Sequence, residues 1–449
     1  MNKHYKIRKG LNIKIAGEAK KNIGKEFDAR TFIIRPTDYI GLIPKILLKD
    51  GDFIKRGEAV FVDKYNPEIR FTSPVSGQIA SVVRGEKRKL LKVIIKSDKK
   101  DNSISFKDQI CYDHADKIKN LFLNSGVWPY IKQRPYGTIA EPNDIPRDIF
   151  VTFFDSAPLA PDYDFILKDK KEEINIALKS IKKLTDGNIY INFREKSILI
   201  DLIDNPDDYI INHFNGPHPA GLVGTHINKI KPINKNEIIW TLNAADLPVI
   251  GHLLLTGEYL PNKLFAIAGS EVKEPCYYPV RSGADISELI VNIVKSDNYR
   301  CISGNVLTGT NVTDNQSTGF YDHLISIIPE GNKFEMFGWI QPGFKKFSVK
   351  RTFASKIVRP RKYNIDTNYH GGERAYVVTG EYEKVCSIDI FPQLLIKSIL
   401  VEDIEKMENL GIYEVIEEDL ALCEFVCTSK IEVQSILRKG LDLIRKEMS

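Results

Sequence analysis

Six short β-rich segments crowd the stretch from residue 31 to residue 97, and no other feature of the chain limits its fold as much. Residues 32–35, 45–48, 59–63, 70–72, 78–83 and 92–96 are divided by Asp50-Gly51-Asp52, Lys55-Arg56-Gly57-Glu58, Asn66-Pro67, Ser73-Pro74 and Ser76-Gly77. Gly, Asp and Pro supply the backbone angles that tight turns need, and strands this short close into a small barrel or sandwich. The 449 residues are enough for several cores, so the barrel is one unit of a longer, multidomain α/β plus β chain.

The order of turns in this unit resembles the lipoyl/biotinyl barrel-sandwich fold. That family carries its cofactor on a Lys at a tight hairpin tip. Here Asp63-Lys64 is followed by Tyr65-Asn66-Pro67, which lengthens the hairpin. Lys64 is therefore read as an ordinary surface lysine. The run Arg84-Gly85-Glu86-Lys87-Arg88-Lys89 is read as a solvated turn, with anionic headgroups as the alternative target.

From residue 101 to 260 the texture changes. Residues 115–124 place Ile118, Leu121 and Phe122 on one helical face, and 170–185 do the same with Ile174, Ala177, Leu178 and Ile181. Apolar runs at 149–154, 189–193, 198–202 and 238–242 read as strands. Strands alternating with helices imply a mainly parallel sheet in a Rossmann-like α/β unit. Residues 261–384 read as a small α+β unit with a strand at 264–268, a helix at 285–295, a strand at 301–307 and a β-rich insert over 325–382. Residues 385–449 read as helical, with helices over 391–407, 417–427 and 431–447.

Composition excludes several classes. Lys+Arg is 64 against Asp+Glu 59, a net charge of +5, which is not the concentrated positive surface of a nucleic-acid binder. No apolar run approaches the roughly 18 residues that a membrane span requires. The longest, 247–255, is interrupted by Pro248, Gly251 and His252. The basic N-terminus has no apolar stretch behind it and is not a secretory signal, so a cytoplasmic location is expected. Six cysteines in 449 residues are too sparse for a disulfide framework.

Two loops stand out as candidate sites. Asn215-Gly-Pro-His218-Pro-Ala-Gly221-Leu-Val-Gly224-Thr-His226 sets three glycines and two histidines in a dozen residues. Its spacing matches neither a dinucleotide fingerprint nor a Walker loop. The histidines are eight apart with no third ligand nearby, which disfavours a metal site. Ser125-Gly-Val-Trp128-Pro-Tyr130-Ile-Lys-Gln-Arg134-Pro-Tyr136 brings aromatic faces and cations together, a combination that suits a flat polarised ring. The plain alternatives are a glycine-dependent turn and a junction loop anchored by Trp128. Finally, Cys423-Glu-Phe-Val-Cys427 reproduces the last interval of a bacterial iron–sulfur motif. Counting back puts Glu417 and Leu420 where the first two thiolates belong, so four ligands do not converge locally.

Taken together, Gly10-Leu11, Lys55-Arg56-Gly57, Asp63-Lys64-Tyr-Asn66-Pro67, Gly126-Val-Trp128-Pro129, Arg134-Pro135-Tyr136, the Gly216–His226 loop, Ile302-Ser-Gly-Asn-Val-Leu-Thr-Gly309 and Asp419-Leu-Ala-Leu-Cys-Glu-Phe-Val-Cys427 resemble the NqrA family. These are the A subunits of bacterial Na+-translocating NADH:quinone oxidoreductases, similar in turn to RnfC and the NADH-binding subunit of complex I. The resemblance covers essentially the whole chain. It implies a barrel-sandwich, a degenerate Rossmann-like domain of the complex I type, an SLBB/β-grasp-like domain and a helical domain without its cluster. It implies a peripheral subunit on the cytoplasmic face of the inner membrane, docked on NqrB within a six-subunit complex. The FAD, FMN, riboflavin and iron–sulfur centres would belong to other subunits, and this chain would bind no cofactor of its own. Ubiquinone is the ligand the resemblance suggests. Its expected place is a mostly apolar pocket between the two loops, formed by Trp128, Tyr130, Arg134, Tyr136, His218, Gly221, Gly224 and His226, with the histidines as proton donors. The competing readings are a cofactor-free scaffold and an RnfC-like electron carrier, the latter weakened by the missing glycines and cysteines.

Overall fold

The short segments of the N-terminal unit pair into two small sheets in the computed structural model, which describes residues 3–448 apart from 333–334, 339 and 359–361. Thr31–Ile34, Leu90–Ser97, Gly77–Arg84 and Phe53–Ile54 hydrogen-bond in that order. Pro44–Ile46, Ala59–Asp63 and Arg70–Thr72 form the second sheet. Val60, Phe61, Ile79, Val93 and Ile95 of these strands are all buried in the core of the unit. The Asp63 hairpin is tied down. Asn66 Nδ2 donates to Glu141 Oε2 at 2.6 Å, so the tip leans on the next unit and Lys64 stands exposed beside it.

The second unit is built on a seven-stranded sheet, in the order Lys3–Lys6, Ile210–Asn215, Asn188–Arg194, Asp148–Thr152, Ile239–Asn243, Lys132–Arg134, Thr138–Ile139. The first five run parallel, Lys132–Arg134 runs antiparallel to them, and Thr138–Ile139 runs antiparallel to Lys132–Arg134. Phe150, Val151, Ile191 and Phe193 are fully buried, as expected for parallel strands covered on both faces. The first strand joins this sheet and not the barrel that follows it in sequence. Residues 198–202, expected as a strand, form the 3-10 helix Ile198–Leu202. Both edges of the neighbouring strand Asn188–Arg194 are already taken, and the Ser197 hydroxyl caps the Leu199 amide instead.

In the third unit the sheet order is Cys276–Arg281, Asn262–Ala268, Leu324–Pro329, Tyr299–Ser303, Thr310–Asn311, with the helix Ser287–Ile293 packed against it. The expected β-rich insert is not β. Leu324–Pro329 belongs to this sheet, and the described residues between 330 and 381 hold one helix, Ser355–Val358, and no strand. Their aromatic and β-branched residues favour strands only where a ladder partner exists, and here they pack on other units or face solvent. The C-terminal unit contains Pro392–Leu400, Ile404–Asn409, Ala421–Val426 and Val433–Met448. The helix expected over 391–407 is two, because Glu402 takes φ 55° and Asp403 starts a new helix by accepting from the Lys406 amide.

Candidate functional site at the switch point of the parallel sheet

The strand order reverses between Asp148–Thr152 and Ile239–Asn243. Open α/β sheets hold their ligands outside the carboxyl ends of the strands at such a point. The chain leaves the first strand through Phe153, Phe154, Asp155 and Ser156, and the second through Asn243 to Asp246. The Gly216–His226 loop, which follows the strand Ile210–Asn215, lies at this end. The Gly221 amide donates to Ser156 Oγ at 2.8 Å, and His218 Nδ1 lies 3.0 Å from the same oxygen. A Cβ on Gly221 would lie 2.6 Å from the Ser156 amide nitrogen, so only glycine admits this approach. Across the crevice the Tyr163 hydroxyl donates to Asn243 Oδ1 at 2.9 Å.

The second loop reaches the first through the C-terminal unit. Arg134 Nη1 donates to Asp419 Oδ2 at 2.6 Å and Nη2 to Glu418 Oε1 at 2.9 Å. Asp419 Oδ2 also accepts from the Ile416 amide at 2.9 Å. Gly224 lies directly against this carboxylate, since a Cβ there would come within 2.1 Å of Asp419 Oδ1. A buried ion pair thus links the two loops. Arg134 Nε and Asp419 Oδ1 have no hydrogen-bond partner among the described residues.

The eight residues named from sequence divide into three groups. Trp128 is a core residue, donating from Nε1 to the Ala140 carbonyl at 2.8 Å and meeting Trp240 edge-on at 5.4 Å between ring centroids. His218, Gly221, Gly224, His226 and Arg134 meet around the crevice. Tyr136, with φ 83°, is the half-buried member, and its carbonyl accepts from Arg438 Nη2 at 2.8 Å. Tyr130 lies apart from the histidines, stacked on Phe320 at 4.4 Å and buried among Tyr39, Tyr259 and Lys263.

Both histidines are neutral near pH 7. Burial pushes His218 down to about 4 and His226 to about 3. His226 Nε2 lies 2.8 Å from the Ala220 carbonyl, which can only accept, so Nε2 carries the proton. Its ring packs on Phe214 and Phe154. Each neutral ring keeps a single N–H, and that of His226 is held by the Ala220 carbonyl; buried carboxyls are biased the other way, towards their protonated form. Groups with the right bias are Asp155 and Glu418, whose carboxyl pKa values burial raises. Between the usual histidine value of about 6.5 and these lowered values the unfolded chain takes up protons that the folded chain refuses. Stability is complete above that usual value and falls as the pH drops towards 4, by about 1.4 kcal/mol per pH unit for each histidine. In urea unfolding as a function of pH, His226→Gln is expected to remove about half of this slope. An unchanged slope would assign it to other groups.

A second buried charge cluster adjoins the crevice. Asp246 Oδ1 accepts from Lys263 Nζ at 2.7 Å and lies 3.0 Å from His323 Nε2, with all three side chains at most 5% exposed. Lys263 also donates to the Phe320 carbonyl at 2.6 Å. Sequence reading missed Asp155, Ser156, Asp246, Lys263, His323 and Glu418. One signal was available: Asp155-Ser156 directly follows the apolar run that makes the central strand.

The residues do not fit the cofactors of the wider relatives. Gly126 is packed so tightly on the barrel that a Cβ would lie 2.1 Å from Thr72 Oγ1, and Trp128 is fully buried. At the cluster position Cys386, Cys423 and Cys427 are free, buried thiols gathered around Tyr382. Cys386 was invisible to a local count because it lies well upstream in sequence. Three thiols and a phenol do not supply four thiolates, and among the described residues no group of three His, Cys, Asp or Glu is placed to hold a metal ion.

A barrel-sandwich, a switch-point α/β sheet and a small mixed sheet follow one another along the chain, which defines a multidomain α/β protein. Residues 5–98 match the model of the NqrA N-terminal barrel-sandwich hybrid domain. Residues 113–259 match the NqrA second alpha/beta domain, and 264–314 the NQRA C-terminal domain. The chain is 37% identical over 449 residues to the A subunit of the Na(+)-translocating NADH-quinone reductase of Serratia proteamaculans, covering 98% of this chain and 99% of that one. The corresponding proteins of Yersinia pseudotuberculosis and Actinobacillus pleuropneumoniae are 35% and 36% identical, at the same coverage of both chains. The chain therefore belongs to the family of A subunits of the Na+-translocating NADH-quinone reductases.

Proposed function

We propose that this chain serves as the peripheral A subunit of a Na+-pumping NADH:ubiquinone reductase, on the cytoplasmic face of a bacterial inner membrane. In this reading it docks on the membrane subunit NqrB. It lends its switch-point crevice to the head-group end of a quinone path, while flavins and iron–sulfur centres stay on other subunits. The observation that carries the reading is the end-to-end similarity to A subunits. Among the described residues no helix is long and apolar enough to cross a membrane, which agrees with a peripheral place.

The quinone part rests on the junction of the two loops. Tyr136 offers a half-buried aromatic face, and Arg134 Nε is a buried donor without a partner, which a quinone carbonyl would satisfy. The scaffold reading is favoured by a different observation: Trp128 and His226 are fully packed. Titration of the purified chain with a short-tail ubiquinone separates the two. Saturable binding is expected, about tenfold weaker in Tyr136→Leu, the scale of one lost aromatic contact. A folded, colourless chain that binds no quinone would leave the scaffold. A yellow or brown protein would overturn both readings.

A further inference from the structure

We propose that the lobe formed by the described residues 335–338 and 340–358 is an interfacial anchor that seats this protein on an anionic bilayer surface. Met336, Phe337, Ile340, Phe344, Ile357 and Val358 are between 57% and 83% exposed. Six large apolar side chains standing in solvent on one small segment mark an interaction surface. The lobe is held together and held in place. The Ala354 amide donates to the Pro342 carbonyl at 2.8 Å and Ser355 Oγ to the Lys346 carbonyl at 2.7 Å, so its two halves fold back on each other. On the inner side Phe347 packs on Tyr363 and on Phe425 of the C-terminal unit, with ring centroids 5.4 and 6.0 Å apart. The apolar residues left outside are therefore displayed by a fixed platform.

Charge identifies the occupant. Between residues 335 and 362 the chain has eight Lys or Arg and a single acid, Glu335. Glu335 pairs with Lys346, and Lys350 and Lys362 reach Glu381 and Glu18. The side chains of Lys345, Arg351 and Lys356 have no ion-pair partner among the described residues, and all three residues are exposed. Protein–protein interface cores are depleted in lysine. Apolar residues rimmed by lysine and arginine are instead the chemistry of a lipid interface, where the apolar tips enter the acyl boundary and the cations meet anionic headgroups. The other basic turn, around Lys87 and Arg88, lacks this apolar element, its one large exposed neighbour being Leu91.

The test is co-sedimentation of the full chain with vesicles of phosphatidylcholine alone and of phosphatidylcholine mixed with phosphatidylglycerol. Binding is expected to the anionic vesicles only, and to weaken with salt. Phe337→Asp/Ile340→Asp and, separately, Lys345→Glu/Arg351→Glu/Lys356→Glu should each weaken it about tenfold or more. All substituted side chains are exposed, so the melting temperature should hold. Lys87→Glu/Arg88→Glu should bind as wild type. The proposal fails if no vesicle binds, if neutral vesicles bind equally, or if only the Lys87/Arg88 variant loses binding. It also fails if the lobe variants keep vesicle binding but no longer co-purify with the rest of the complex, which would make the lobe a protein interface. The quinone titration above is unaffected by any of these outcomes.

Discussion

Replacing Arg134 with Met destabilises the chain by about 3–5 kcal/mol, the usual scale for removing one partner of a buried ion pair. The guanidinium is 1% exposed and the Asp419 carboxylate 0%. Without Arg134, Asp419 keeps only the Ile416 amide as a hydrogen-bond donor among the described residues, in a space too close to Gly224 to admit even a Cβ there. No water can reach the carboxylate without moving the Gly216–His226 loop, the start of the Glu417–Leu420 turn, or both. The expected readout is a lower urea midpoint at pH 7, with protection from hydrogen exchange lost first at residues 221–226 and 416–420. Arg134→Lys keeps the charge but not the two-pronged geometry, so it should recover only part of the loss. A loss below about 1 kcal/mol would mean that the junction relaxes freely and is no structural clamp.

Lys263→Met has the other large expected effect, again about 3–5 kcal/mol. Lys263 lies on the strand Asn262–Ala268, Asp246 just before the helix Leu247–Thr256, and His323 just before the strand Leu324–Pro329. The cluster therefore joins the second and third units. Burial pushes the Asp246 carboxyl up, but Lys263 and His323 pull it further down, so it ends below its usual value. Because the folded value is depressed, this carboxylate stabilises the fold above the usual carboxylate range, and that contribution disappears as the pH falls through the folded value. In Lys263→Met the main opposing charge is gone, the carboxyl pKa rises, and acid unfolding should begin at a higher pH. Asp246→Asn placed in the Lys263→Met background should restore part of the stability, because an amide buries no charge. Acid and urea unfolding of the four chains in this double-mutant cycle measure the coupling. Additive losses would show that the two groups do not act as a pair.

Both clusters illustrate what the sequence could and could not show. The barrel strands were legible because each short β run is closed by Gly, Asp or Pro, and turn chemistry is local. The helices Ala115–Ser125 and Lys171–Lys182 were legible because their buried residues repeat at helical spacing. Residues 198–202 were misread because an apolar run reports burial and not whether a neighbouring strand has a free edge. The insert after Pro329 was misread for the same reason. Of the site, the two loops were visible as concentrations of Gly, His, Arg and aromatic residues. Their partners were not, since Asp419 and Glu418 lie 285 and 284 positions from Arg134. Cys386 was hidden likewise from Cys423.

The sequence by itself thus determined the kind of chain this is: a barrel-sandwich, a parallel α/β unit, a small α+β unit and a helical end, in the order of the A-subunit family. Those properties follow from local turn chemistry and from the period of the apolar residues. Only the tertiary structure decided that a buried ion pair links the two loops, that both histidines are neutral, and that a basic, apolar lobe stands outside the fold. Each of these depends on the charge and burial that distant segments impose on one another, and burial is a property of the assembled chain.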